Sequence, residues 1–226
     1  MKRIILSIFI IVAAFALSVS AQSLQVFESG ITLAQKGEFK TALAKFERSL
    51  ELSNNEKLSD EFRAKIQFNI GVCFYQLNDQ AKAVKEFESA ITLDPNHEKS
   101  FYALGMAQFE LQNWQSAEQA FVSAIRHNKR NGEVWFDLAF VYLAQENYES
   151  AQAAFEKSIA LKSVDSAISH NNLGVIFAMN GDFDAAIKEF KFALKKSKGN
   201  FAVAEQNLQF CKELEQDFIA KLEFVR

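Results

Sequence analysis

Three histidines, two cysteines and scattered carboxylates are the residues of this 226-residue chain with a claim to chemistry. His97, His127 and His170 lie 30 and 43 residues apart, with no cysteine or carboxylate at ligand spacing beside them. A metal site needs several donors converging at short spacings, so these histidines read as solvated or packed. Cys73 and Cys211 fall on the inner faces of predicted helices, where a thiol behaves as a small buried apolar group. Two buried thiols are expected; in an oxidising compartment a disulfide is the alternative. Glu110, Glu133 and Asp137 can pair across neighbouring helices, but paired carboxylates alone define no reaction. No strand is predicted, so no glycine-rich phosphate loop follows one. The residues supply no catalytic constellation, no metal and no cofactor, and the chain is not expected to be an enzyme.

The elements that carry these residues are helical. One proline (Pro95) and 8 glycines leave few breakers in the chain. Hydrophobic residues make up 49% and charged residues 23%, the balance of a folded protein rather than a disordered one. Phenylalanine is the departure, with 23 copies. The net charge of −3, without a basic block, gives nucleic acid no electrostatic footprint.

The chain repeats itself. NIGVCFYQLNDQAKAVKEFESAITLDPN begins at Asn69; 34 residues later comes ALGMAQFELQNWQSAEQAFVSAIRHNKR, and then DLAFVYLAQENYESAQAAFEKSIALKSV. NLGVIFAMNGDFDAAIKEFKFALKKSKG follows one residue out of step. Gly71, Gly105, Ala139 and Gly174 form one column; Ala83, Ala117, Ala151 and Ala186 a second; Phe87, Phe121, Phe155 and Phe190 a third. An earlier copy supplies Gly30, Ala42 and Phe46, separated from the second by seven extra residues, Lys57 to Arg63. Small residues let two antiparallel helices approach, here Gly71 or Gly105 against Ala83 or Ala117, and the phenylalanine fills the space between one pair and the next. No pair buries its apolar face alone, so stacking creates the core. The extra residues lengthen a turn or the start of the second pair's first helix.

On these columns the chain resembles the tetratricopeptide repeat family, whose pattern pairs a small residue in the first helix with an Ala, a Phe and often a Pro in the second. The resemblance covers about Ser23 to Asn200. It implies an all-α, right-handed superhelical solenoid of about five helix pairs, with approximate repeats 23–56, 64–97, 98–131, 132–165 and 167–200. The same repeat serves many unrelated partners, so it implies protein binding without naming what is bound.

The first helix of each pair is apolar on two sides. On a wheel of 100° per residue, Gln67, Ile70 and Phe74 cluster toward the partner helix, while Phe68, Val72 and Tyr75 lie on the opposite side. That opposite face carries Tyr102, Met106 and Phe109 in the third copy, and Phe136, Phe140 and Leu143 in the fourth. In tetratricopeptide-like superhelices the first helices line the concave surface. The resemblance therefore implies a ladder of Phe68, Tyr102 and Phe136 flanked by Val72, Met106 and Phe140. An exposed apolar strip of this kind marks a binding site for a protein or peptide. Packing is the second reading, and occupancy by the apolar tail (Phe218, Ile219, Leu222, Phe224, Val225) the third. Some family members hold a partner's C-terminal carboxylate with Lys and Asn on this surface. Here the fifth place is aromatic (Phe27, Phe68, Tyr102, Phe136) until Asn171 and Asn172, and with Lys65 and Lys99 near one edge the full pattern is absent. The two asparagines are expected to hydrogen-bond the backbone of an extended peptide. A carrier of a lipid or other apolar molecule, or a homo-oligomer assembled through the strip, are the alternatives.

The two ends stand outside the repeats. Lys2 and Arg3 precede an uncharged apolar run from Ile4 to Val19, and Val19-Ser20-Ala21 presents small residues, so residues 1–21 are expected to be a signal peptide cleaved before Gln22. At 16 residues the run is short of the roughly 20 that span a bilayer. The mature chain would be periplasmic or secreted, touch the membrane only through this transient segment, and hold 23 basic against 28 acidic residues, a net charge of −5. At the other end, Phe201, Ala204, Leu208, Cys211, Leu214, Phe218 and Leu222 recur at spacings of three and four. Residues 201–226 are therefore expected to cap the last pair with one helix and a tail.

Overall fold

A computed structural model describes residues 22–55, 58–162 and 166–213, and every regular element among them is an α-helix. The expected signal segment, 1–21, and the tail from Leu214 onward lie outside the described residues. The chain divides into two compact units, Met1–Asn113 and Trp114–Arg226. The first holds α1 (residues 22–35), α2 (Phe39–Asn55), α3 (Asp60–Gln76), α4 (Gln80–Leu93) and α5 (Glu98–Glu110). The second holds α6 (Trp114–His127), α7 (Gly132–Ala144), α8 (Tyr148–Ala160), α9 (Ser166–Met179), α10 (Phe183–Lys196) and α11 (Ala202–Glu213). Five repeat copies and one final helix account for the described elements. The division falls at the turn inside the third copy, between α5 and α6.

The turns within each copy share one device. Gly37, Asn78, Gln112, Glu146 and Gly181 all have φ between 58° and 81°, the left-handed conformation that ends a helix. The next residue then reaches back to the last helical turn: Asp79 N to Phe74 O at 2.9 Å, Asn113 N to Gln108 O at 2.9 Å, Asn147 N to Tyr142 O at 2.8 Å. Asp79, Asn147 and Asp182 also cap the helix that follows, accepting from Lys82, Ser150 and Ala185 N respectively. Of the extra residues in the second copy, those from Leu58 onward are described, and they belong to both connection and helix. Ser59 caps α3 by accepting from Phe62 N, and Asp60 to Arg63 form its first turn.

The three columns form the core. Ala42, Ala83, Ala117, Ala151 and Ala186 are fully buried, and so are Phe46, Phe121, Phe155 and Phe190, with Phe87 at 1% exposure. Burying one such ring stabilises the fold by about 1.5–3 kcal/mol. The glycine column works differently from the sequence expectation. A Cβ on Gly30, Gly71 or Gly174 would stand 2.7, 2.6 or 2.5 Å from the ring of Phe46, Phe87 or Phe190. Each phenylalanine therefore lies on the glycine of its own pair, so it sets the spacing inside that pair. At the chain's end α11 packs on α10 and buries Ala204, Asn207, Leu208 and Cys211.

Candidate functional site

In the first unit the first helices and one connection enclose a groove of about 480 Å³. Phe27 and Ile31 come from α1, Lys65, Phe68 and Asn69 from α3, and Asp94 to Lys99, save Pro95, from the end of α4 and the start of α5. The helical period explains the set. Phe27 and Ile31 are four apart, as are Lys65 and Asn69, so each pair shares one face of its helix. The groove's rings are anchored in the core behind them. Phe27 lies 5.5 Å from both Phe46 and Phe62, and Phe68 lies 5.8 Å from Phe87. The edge of His97 meets Phe68 at 5.1 Å, and its Nδ1 is 2.7 Å from Ser100 Oγ. The Asn69 amide donates to Lys65 O at 2.7 Å. Burial lowers the His97 pKa below its usual 6.5, with Lys99 and Lys65 acting the same way and Asp94 opposing. The groove thus has an apolar floor, a neutral imidazole, and a rim where the exposed Lys65 and Lys99 are balanced by the half-buried Asp94 and Glu98.

The other residues of the expected strip are placed less uniformly. Val72 and Tyr75 pack with Phe68 around Ala83, Phe87 and Ala107, behind the groove rather than in it. Tyr102, Met106 and Phe109 are half-buried on α5. In the second unit the strip is not exposed: Phe136 retains 8% and Phe140 7% of its surface. The two rings contact each other at 5.0 Å, and both meet Phe155, at 6.2 and 5.4 Å. Phe155 is the column ring, whose counterpart Phe87 likewise meets Phe68, so the added cover here is Phe140, which stands where the second copy has Val72. Asn171 and Asn172 also differ from expectation. Both are fully buried, with Asn171 donating to Asn172 Oδ1 at 3.2 Å and accepting from Asn207 Nδ2 at 3.1 Å. Their amides tie α9 to α11 instead of facing a peptide.

Ile31, Asn69 and the connection residues Asp94, Asn96, His97 and Glu98 were not singled out for the groove in sequence, whereas Lys65 and Lys99 were placed near one edge of it. Asn69 was legible, since it lies four residues after Lys65 and beside Phe68. His97 was not, because only the fold brings the connection before α5 against α3. His170 sits 2.6 Å from Glu189 and stacks on Phe192 at 5.3 Å, so it is a packed histidine. Cys73 and Cys211 are buried free thiols, and burial pushes each up to about 11, Glu47 adding to the effect at Cys73. Among the described residues no three His, Cys, Asp or Glu side chains converge to hold a metal. No described helix is long and apolar enough to cross a membrane.

Solved structures share this fold. One of MamA is 24% identical, with a TM-score of 0.68 over 75% of this chain and 94% of that one. That of Pseudomonas aeruginosa pilF is 17% identical with a TM-score of 0.70, covering 90% of both chains. That of YrrB, described as "a TPR protein with an unusual peptide-binding site", is 18% identical with a TM-score of 0.67, over 84% of this chain and 91% of its own. No curated protein matches in sequence. Family profiles described as "Tetratricopeptide repeat" match residues 20–96, and 102–163 with 137–201. With matches that run through nearly all the described helices and columns that pack as that repeat requires, the chain belongs to the tetratricopeptide repeat family.

Proposed function

We propose that the protein is an exported, non-catalytic scaffold that grips an apolar or aromatic segment of a partner protein in the groove of its first unit. The observation that carries this reading is the lining of that groove. Phe27, Ile31 and Phe68 offer a continuous apolar floor, and their positions are fixed by rings in the core, so binding orders little that is not already ordered. An extended or helical segment carrying one or two apolar anchors fits such a floor. Lys65 and Lys99 are balanced in the lining by Asp94 and Glu98, so recognition rests on the apolar floor rather than on net charge. The peptide-binding site named for YrrB, a protein of the same fold, is consistent with this use. Export follows from the basic, apolar and small-residue order of residues 1–21.

Selection from a random peptide display library on the chain beginning at Gln22 tests the reading. Selected peptides are expected to share an apolar or aromatic anchor, and to lose binding to an Ile31→Glu/Phe68→Ala variant whose helicity is unchanged. Peptides without a common anchor, or bound equally by the variant, would place the contact elsewhere.

A further inference from the structure

The exposed side of α10 differs from the same side of every other second helix. Lys188, Lys191, Phe192 and Lys195 project within about 100° of arc, opposite the buried Ala186, Phe190 and Ala193. With Asp184 and Ile187 they line a depression of about 410 Å³. Phe192 is 36% exposed, one of few large apolar side chains so open among the described residues, and the Lys188 ammonium stands 6.0 Å from its ring centre.

The repeats supply their own control. Aligned on the phenylalanine column, the three lysine positions read Ala44, Glu47 and Glu51 in α2, and Lys85, Glu88 and Thr92 in α4. They read Gln119, Val122 and Arg126 in α6, and Ala153, Glu156 and Ala160 in α8. The α4 face forms a depression of similar size, about 520 Å³, lined by Lys85, Glu88, Ser89, Thr92 and Leu93. The hollow therefore also forms on a second copy, while three lysines around an open ring belong to α10 alone among the described second helices. Lys195 and Lys196 lie in the last turn, where a cation complements the helix dipole. Lys188 and Lys191 lie outside it, and the dipole does not account for them. Glu189, the nearest acid on the helix's flank, is engaged with His170, which leaves Asp184 as the one carboxylate on the face.

We propose that this face of α10 docks the protein on an anionic lipid surface. The lysines would meet the headgroups and Phe192 the boundary beneath them. All six lining residues belong to one helix. The hollow therefore lacks the second wall that a peptide groove has, and an open basic face is complementary to a flat, negatively charged surface. The site is separate from the groove of the first unit and does not depend on it.

Vesicle sedimentation of the chain from Gln22, which carries every described helix, tests the proposal. It should pellet with mixed phosphatidylglycerol–phosphatidylcholine vesicles, not with phosphatidylcholine alone, and be released by high salt. A Lys188→Gln/Lys191→Gln/Lys195→Gln variant should lower the partition roughly tenfold or more. Phe192→Ala should lower it while leaving the charge intact. Circular dichroism must show both variants as helical as the parent, which their exposed positions favour. The Ile31→Glu/Phe68→Ala variant should sediment like the parent, so failure here is separable from failure of the groove. Equal pelleting of the triple variant, or pelleting independent of phosphatidylglycerol, would overturn the proposal. So would binding of poly-glutamate in the absence of vesicle binding, which would give the face to an acidic protein instead.

Discussion

The ring of Phe87 lies directly on Gly71, where a Cβ would stand 2.6 Å from its Cε1 atom. Gly30 with Phe46 and Gly174 with Phe190 repeat the contact at 2.7 and 2.5 Å. The smallest and one of the largest apolar residues are thus paired across two helices, and this pair rather than the alanines sets how close the helices come. Gly71→Ala should overpack the contact and destabilise the first unit by about 1–3 kcal/mol. Denaturant unfolding measures it; an unchanged midpoint would mean the ring moves aside freely.

The left-handed turn gives a prediction of opposite sign. Glu146 holds φ 58° in the position that Gly37 and Gly181 occupy in other copies. A side chain there costs about 1–2 kcal/mol, part of which glycine loses again to greater freedom in the unfolded chain. Glu146→Gly should therefore stabilise the protein by about 0.5–1 kcal/mol. Thermal unfolding reads the result, and a lowered Tm would show that Glu146 does something in the turn beyond holding it.

The thiols should be silent. Cys73 and Cys211 are fully buried, and burial raises both from the usual 9.0 to about 11. Thiolate, the reactive form, is scarce at pH 8. Ellman's reagent should find no fast thiol in the native protein and two after denaturation. A fast-reacting native thiol, or fewer than two on unfolding, would contradict two buried free cysteines.

His97 ties pH to the groove. Its folded pKa lies below 6.5 because burial disfavours the cation. The unfolded chain therefore binds the extra proton first. The stability contributed by neutral His97 is present above 6.5 and is lost as pH falls through the folded value. The cation would also stand beside Lys65, Lys99 and the Phe68 ring, so affinity for an apolar segment should fall over the same range. An imidazole NMR titration of His97 should show a midpoint under 6.5; one at or above it would remove the link.

Legibility in the sequence followed range. The helices, the five copies and the capping α11 were readable because their signals are local: period, turn and a recurring Gly, Ala and Phe. The exposure of the first helices was not. Phe68 and Phe136 occupy the same place in the repeat and each meets the column phenylalanine of its own pair, yet one borders a groove and the other is covered by Phe140, where the second copy has Val72. That difference depends on how the side chains around each ring pack, which the wheel alone does not show. Asn171 and Asn172 looked like peptide ligands, but Asn207 on α11 completes a buried amide chain with them. The lysines of α10 were visible as letters, and only the fold separates those on the open face from those accounted for by the helix end.

Photo-crosslinking from within the groove tests the central claim most directly. Asn69, on the groove wall beside Phe68, is replaced by p-benzoylphenylalanine in the protein expressed in its native cells, and Gln119, on the exposed side of α6, serves as the control position. A partner adduct is expected from position 69, mapping by mass spectrometry to an apolar or aromatic segment and competed away by a display-selected peptide. Adducts from position 119 alone, or an adduct at 69 that excess peptide leaves unchanged, would contradict it.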